Sequence, residues 1–330
     1  MGKIALSLAV SAFLLAPAPS FPQQYPSVPF VAVAFPSQKE STFWTALFTA
    51  SEKEIFVYNR RSLQIYERFS IDEGLEEVLG EAFRQLKETP HVDVRTGLKE
   101  RLEDGLGLAS AYWPHLSRIF KGADIPESLL YLTLAESLFN PRASSVKAAM
   151  GVWQFIPGTA RDYGLRVDEN VDERLDPLKS TRAAARYLRN LYGVFRDWPL
   201  SVLAFNQGEA RVKEYVAQAR MAHPRKAQLS YHDVKPFIPS EYFVAHNFLE
   251  IFVAVSALAK NPSSYSLKVK PRPVLRFEET HIARSASLEE LARRFKTSVM
   301  ELKRLNPDLK QTTLRVGKRP FLLKVPPQKP

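Results

Sequence analysis

An apolar run, Leu129-Leu130-Tyr131-Leu132-Thr133-Leu134-Ala135, ends on an ionisable side chain, Glu136. Such a run reads as a buried helix, so the carboxyl at its end is carried toward the interior. Asn140-Pro141 then breaks the helix. A short loop–helix stretch follows, supplying a hydroxyl, an amide and aromatic rings: Ser145, then Gly151-Val152-Trp153-Gln154-Phe155-Ile156-Pro157-Gly158-Thr159. Breaking a glycosidic bond requires a proton delivered to the leaving oxygen while positive charge grows on the sugar ring. A carboxyl does this near neutral pH only if its pKa is raised. Burial does so, and the negative end of a helix adds to it. Glu136 is therefore the candidate general acid.

Most of the chain carries helical signals. Leu75, Val78, Leu79, Ala82 and Leu86 fall at helical spacing, and a second helix is expected from Arg95 to Phe120, kinked or divided at Pro114. Gly122 and Pro126 stop one helix and start the next. Further helices are expected from Pro157 to Gly164, after Asp176-Pro177 through Phe195, from Trp198 to Asn206, from Glu209 to Arg220 and from Ser240 to Ala259. Residues 261–274, with three prolines, read as a linker. Beyond it a strand from Leu275 to Ala283, two short helices opened by Ser287 and Ser298, and a closing strand at Phe321–Val325 make a βααβ unit. Residues 41–70 show no clear periodicity and receive no role from sequence.

Composition bounds the chemistry. The chain has 330 residues, 45% of them hydrophobic, and no cysteine, which excludes disulfides, thiolate nucleophiles and cysteine-ligated metals. Six histidines show no HExxH spacing, so neither a metal nor another cofactor is expected. Lys3 followed by the apolar run Ile4–Ala16 reads as a secretory signal over residues 1–20, too short to span a bilayer. Export to the periplasm or cell envelope is the expectation. The net charge is +11, of which +7 lies from Arg276 onward. In an exported protein an anionic wall polymer is a better partner for that tail than nucleic acid.

Ile125-Pro126-Glu127-Ser128-Leu129, Glu136-Ser137-Leu138-Phe139-Asn140-Pro141-Arg142-Ala143, Ala149-Met150-Gly151-Val152-Trp153-Gln154-Phe155, Asp172-Glu173-Arg174-Leu175-Asp176-Pro177 and Ala204-Phe205-Asn206-Gln207-Gly208 occur in this order and spacing. Together they resemble the catalytic domain of lytic murein transglycosylases with the goose-type lysozyme fold. The resemblance implies one catalytic carboxyl, carried onto Glu136. It protonates the bond between N-acetylmuramic acid and N-acetylglucosamine, then acts as base on the muramic acid C6 hydroxyl, closing a 1,6-anhydro ring. It also implies substrate-binding roles for Ser145 beside the acetamido group, and for Gln154, Asn206, Met150, Gly151 and Phe205 along the groove. Read from the residues alone, Ser145 and Asn206 also suit turns, and Gln154 a buried amide.

Two departures from the family pattern stand out. Phe205 replaces the family's tyrosine, and Pro239-Ser240-Glu241-Tyr242-Phe243-Val244-Ala245 lacks a later tyrosine. A catalytically weak or silent muropeptide-binding protein is the alternative reading. The tail, through Leu288–Phe295 and Leu302–Pro307, resembles a LysM module, although Ser285-Ala286-Ser287 stands where Gly-Asp-Thr is usual. The expected organisation is mainly α: a signal (1–20), a partly helical extension (21–90), a lysozyme-like domain (91–262), a linker (263–274) and a βααβ LysM-like domain (275–327). Peptidoglycan glycan strands are the expected partner, with no nucleic acid, peripheral association with the cell envelope and a monomeric state.

Overall fold

The computed structural model describes residues 38–59, 63–70, 92–240, 243–317 and 319–327. The expected signal segment, the lead-in before residue 38, the expected helix at Leu75–Lys87, and Glu241 and Tyr242 lie outside the described residues. The expected mainly helical class is what the chain adopts, and the expected βααβ unit at its end carries two further short strands, Ala286–Ser287 and Thr313–Leu314.

Helix α1 (Gln38–Thr49) leads into a three-stranded antiparallel sheet, β1 (Glu54–Asn59), β2 (Ile65–Ser70) and β3 (Val92–Thr96), in the order β2-β1-β3. Ile55, Phe56, Val57 and Tyr58 are all buried. A strand covered on both faces loses the polar–apolar alternation that announces a half-buried one, which is why residues 41–70 gave no periodic signal. Phe43, Trp44, Leu47 and Phe48 of α1 join the main core, with the Phe43 ring 4.6 Å from that of Tyr58.

The helix expected from Arg95 begins instead at Lys99. Val92-Asp93-Val94-Arg95-Thr96 pairs with β1, and these ladder bonds override the helical reading of Arg95. Helix α2 (Lys99–Gly122) then runs unbroken through Pro114, against the expected division. Within the turn that Pro114 deprives of a hydrogen bond, Ala111 O accepts the N–H of Leu275 at 2.9 Å, and His115 Nε2 lies 2.8 Å from Leu275 O. Contacts from a distant segment thus support this turn.

After Pro126 the chain makes a 3₁₀ segment (Glu127–Tyr131) and only then α3 (Leu132–Ser137). Helix α4 (Pro157–Asp162) starts on its proline, as expected. Asp176 caps α5 (Pro177–Phe195), its carboxylate accepting the N–H groups of Leu178 and Lys179. Asp197 does the same for α6 (Trp198–Gln207), and Gly208 ends that helix. Helices α7 (Glu209–Ala222), α8 (Tyr231–Val234), α9 (Phe243–His246) and α10 (Phe248–Lys260) complete the helical body. Among the described residues no helix is long and apolar enough to cross a membrane.

Residues 263–274, read as a linker, lie along α2. Lys268 N donates to Glu103 Oε1 at 2.6 Å and Arg272 N to Ser110 Oγ at 3.2 Å. The closing unit pairs β4 (Glu278–Ile282) with the terminal strand and β5 (Ala286–Ser287) with β6 (Thr313–Leu314). Between them stand α11 (Leu288–Arg294) and α12 (Val299–Leu305), capped by Ser287 and Ser298, and β7 (Phe321–Val325) closes the unit. The expected strand from Leu275 is shorter, because Leu275 is held by α2.

Gly105 of α2 sits where a side chain would overlap the Leu138 carbonyl at the end of α3. Alanine ordinarily gains about 1 kcal/mol over glycine in a helix. Here overpacking reverses the sign, so Gly105→Ala is expected to lose about 1–3 kcal/mol in urea unfolding. An equal or higher midpoint would contradict this close approach.

Candidate active site

Glu136 lies on the last turn of α3, six residues long, and is half-buried. Two features hold this turn. Ser137 Oγ is 3.1 Å from both the Thr133 and Val152 carbonyls, and the N–H of Asn140 donates to it at 3.2 Å. The chain then reverses through Leu138 and Phe139, both in the left-handed region at φ 51° and 56°. Ala148 (57°) and Gln154 (49°) share that conformation. Non-glycine residues pay roughly 1–2 kcal/mol for it, and four of them within the stretch that follows Glu136 are a strain that surrounding structure must enforce.

The Asn206 Nδ2 amide, on α6, donates to Glu136 Oε1 at 3.4 Å. Burial pushes the Glu136 pKa up to about 7, and the Asn206 bond opposes the rise only in part. No neighbouring carboxylate is among the causes of the shift. Desolvation is the largest cause of the rise.

The 143–155 segment is tied into a compact fold of backbone. Ser145 accepts the N–H groups of Lys147 (3.3 Å) and Ala149 (3.1 Å) on its hydroxyl oxygen. Both are acceptor roles, so they leave the O–H proton unspent. Met150 pairs with Ser144 and Phe155 in isolated β-bridges. Gly151 has φ 80° and donates its N–H to Ala143 O at 2.9 Å. A side chain there would overlap the Arg174 carbonyl, so both conformation and space require glycine. Gln154 uses Nε2 to hold the Ala143 and Gly151 carbonyls at 3.2 and 2.9 Å. Its amide therefore shapes this segment, as the buried-amide reading allowed.

Phe205 places its ring 5.7 Å from Trp153, 5.9 Å from Phe155 and 5.2 Å from Tyr187. Trp153 is anchored in turn by donating Nε1–H to Thr181 Oγ1 at 2.7 Å. The structure thus brings Glu136 and Asn206 into contact, joins Ser145, Met150, Gly151 and Gln154 in one loop, and packs Phe205 among aromatic rings beneath it. Sequence reasoning gave no role to Ser137 or Arg174. Both lie inside quoted motifs, and that placement was the available signal.

The comparisons with known proteins fit this geometry. Residues 120–228 match the family described as Transglycosylase SLT domain, and residues 287–319 match the LysM domain. The chain carries a transglycosylase SLT domain followed by a LysM domain. It is homologous to membrane-bound lytic murein transglycosylase D of Escherichia coli (strain K12), 30% identical over 218 residues that make up 66% of this chain and 46% of that protein. It is also 43% identical over 79 residues, 23% of this chain, to peptidoglycan transglycosylase gp16 of Escherichia phage T7, 6% of whose length is covered. The chain therefore spans less than half the length of these curated relatives. Among solved structures, the 70 kDa soluble lytic transglycosylase of Escherichia coli is similar at 22% identity and a TM-score of 0.38, over 48% of this chain and 25% of that one. The resemblance read from the motifs is borne out by the two domain matches, and the SLT match contains every candidate site residue from Glu136 to Asn206.

The raised Glu136 pKa has a consequence for stability. With the folded pKa near 7 and an unfolded value near 4.3, the folded state holds the proton more tightly. Stability is then full below about pH 4 and is lost as pH rises toward 7. Glu136→Gln removes that loss. The variant is expected to be more stable than the parent by on the order of 1–3 kcal/mol at pH 8 and indistinguishable from it at pH 4, read by thermal unfolding. An advantage that did not change with pH would contradict a protonated, buried Glu136.

Proposed function

We propose that this chain is a peptidoglycan lytic transglycosylase. It cleaves the β-1,4 bond between N-acetylmuramic acid and N-acetylglucosamine with formation of a 1,6-anhydro ring, and Glu136 is its single general acid and base. The observation that carries this reading is a half-buried glutamate with a pKa near 7, hydrogen-bonded to Asn206 inside a transglycosylase SLT domain. The printed names of the relatives, murein and peptidoglycan transglycosylases, support the substrate class.

In the first step protonated Glu136 gives its proton to the glycosidic oxygen as the bond to C1 breaks, and the glucosamine side leaves as an alcohol. The Asn206 amide, which favours the ionised form, stabilises the carboxylate so produced. In the second step that carboxylate takes the C6 hydroxyl proton while O6 attacks C1. Glu136 ends as it began, protonated, and no water is consumed. Ser145, with its hydroxyl proton unspent on the loop, is the proposed donor to the substrate acetamido carbonyl. Met150, Gly151, Gln154, Phe205 and Asn206 line or support the groove.

The proposed organisation keeps a catalytic domain over 91–262 and a LysM domain over 275–327, the latter binding peptidoglycan. We place the protein outside the cytoplasm, in the periplasm or cell envelope, on the reading of residues 1–20 as a secretory signal.

The test is digestion of purified sacculi by the mature protein and by Glu136→Gln, with mass spectrometry of the soluble products. Anhydro-muropeptides are expected from the parent, and on the order of 10²–10⁴-fold less from the variant. Reducing-end products would indicate attack by water instead. Sacculus binding without products would favour the binding-protein reading, for which Phe205, packed among aromatics without a hydroxyl, is the relevant observation.

A further inference from the structure

The LysM domain meets the SLT domain through buried charge. Lys324 of β7 donates to the Asp176 carboxylate, with side chains 2% and 0% exposed. Lys179 of α5 donates to Asp308 Oδ2 at 2.7 Å, with 7% and 0% exposed, and lies 3.0 Å from Glu173 Oε1. The same ammonium sits 3.8 Å over the Phe321 ring. Backbone bonds join the two sides as well: Asp172 N donates to Asp308 O and Lys310 N to Asn170 O, both at 3.0 Å. Val171 packs into the LysM core, while Leu305 packs into the main core. A module swinging on a tether would leave these charges in water, where they cost nothing to keep. Sealed from water they require each other, since a buried charge that loses its partner is strongly destabilising.

The clamped segment also reaches residues 148–155 of the candidate site. Buried Arg174 is gripped by Asp172 through Nε at 2.9 Å and Nη2 at 2.7 Å. Its Nη1 donates to Ala148 O at 2.7 Å and Phe155 O at 3.0 Å. These two carbonyls bracket the segment that carries Met150, Gly151 and Gln154, and Gly151 lies directly against the Arg174 carbonyl. One forked guanidinium thus spans from the LysM-clamped segment to Ala148 and Phe155, at the two ends of the stretch that carries Met150, Gly151 and Gln154.

We propose that the LysM domain is a fixed brace of the catalytic groove, locked by the Asp176–Lys324 and Lys179–Asp308 pairs, and that Arg174 is the positioning residue that transmits the brace to residues 148–155. Burial pushes Asp176 up, but Lys324 and Lys179 outweigh it and hold its carboxyl below the ordinary range, whereas burial keeps the Asp308 carboxyl above it despite Lys179.

Hydrogen exchange on the full chain tests this without reference to activity. The interdomain amides of Asp172 and Lys310 are expected to exchange as slowly as those of α10. Rates typical of surface amides would overturn the lock. Lys324→Met is expected to speed exchange at Asp172, Lys310, Met150 and Gly151 together. Asp176→Asn combined with Lys324→Met, which removes both charges and keeps the helix cap, restores it. Arg174→Lys, which cannot bridge both carbonyls, is expected to speed exchange at Met150 and Gly151 and to leave Lys324 N unchanged. Unaltered rates at Met150 and Gly151 in Arg174→Lys would overturn the brace. On soluble glycan strands, which rests on the activity proposed above, Arg174→Lys is expected to lower kcat on the order of ten- to a hundredfold with KM within about twofold. A change confined to KM would contradict positioning. A parent without activity would bear on the functional reading, and the exchange result would still decide the lock.

Discussion

A carboxylic acid held in desolvating surroundings is the constraint on which the rest of this structure depends. Glu136 keeps its proton near neutrality only while its surroundings stay closed, because admitting solvent would return it to the ordinary carboxylate range. The fold spends its most restrictive features on that closure. Ser137 fastens the end of α3 to the Val152 backbone, Gly105 lets α2 approach that end, and Thr181 fixes the Trp153 indole under the loop. The left-handed residues Leu138, Phe139, Ala148 and Gln154 show that the backbone is held there by packing rather than by local preference.

The parts of this arrangement that rest on local chemistry were legible in the sequence. Pro157 announced its helix, Asp176-Pro177 the start of α5, and Ser287 and Ser298 the two LysM helices, because caps and prolines act within a few residues. The desolvated setting of Glu136 was legible from its apolar run. Asn206 looked equally like a turn former, and only the fold brings its amide to the carboxyl. Gln154 was split between ligand and buried amide, and its two carbonyl contacts show that it shapes the loop.

What escaped the sequence depends on distant pairing. β1 is apolar on both faces, so its run has neither strand nor helix period, and β3 became a strand only because β1 offered it an edge. The strap over 263–274 carries linker composition, yet its amides find acceptors on α2. Lys324 and Asp176 are 148 residues apart, and Lys179 and Asp308 are 129 apart. No spacing rule reaches that far, and a charged residue in sequence is ordinarily read as solvated. Buried ion pairs are weak sources of net stability, but they are exacting about geometry, and here they set the position of one domain against another.

The central claim is that Glu136 is a protonated acid at the pH where a sugar bond is to be broken. The most direct measurement is a ¹³C titration of the Glu136 carboxyl in the full chain, assigned by comparison with Glu136→Gln. The account predicts a midpoint near pH 7. A midpoint near the ordinary glutamate value, with the carboxylate already ionised at pH 5, would contradict it.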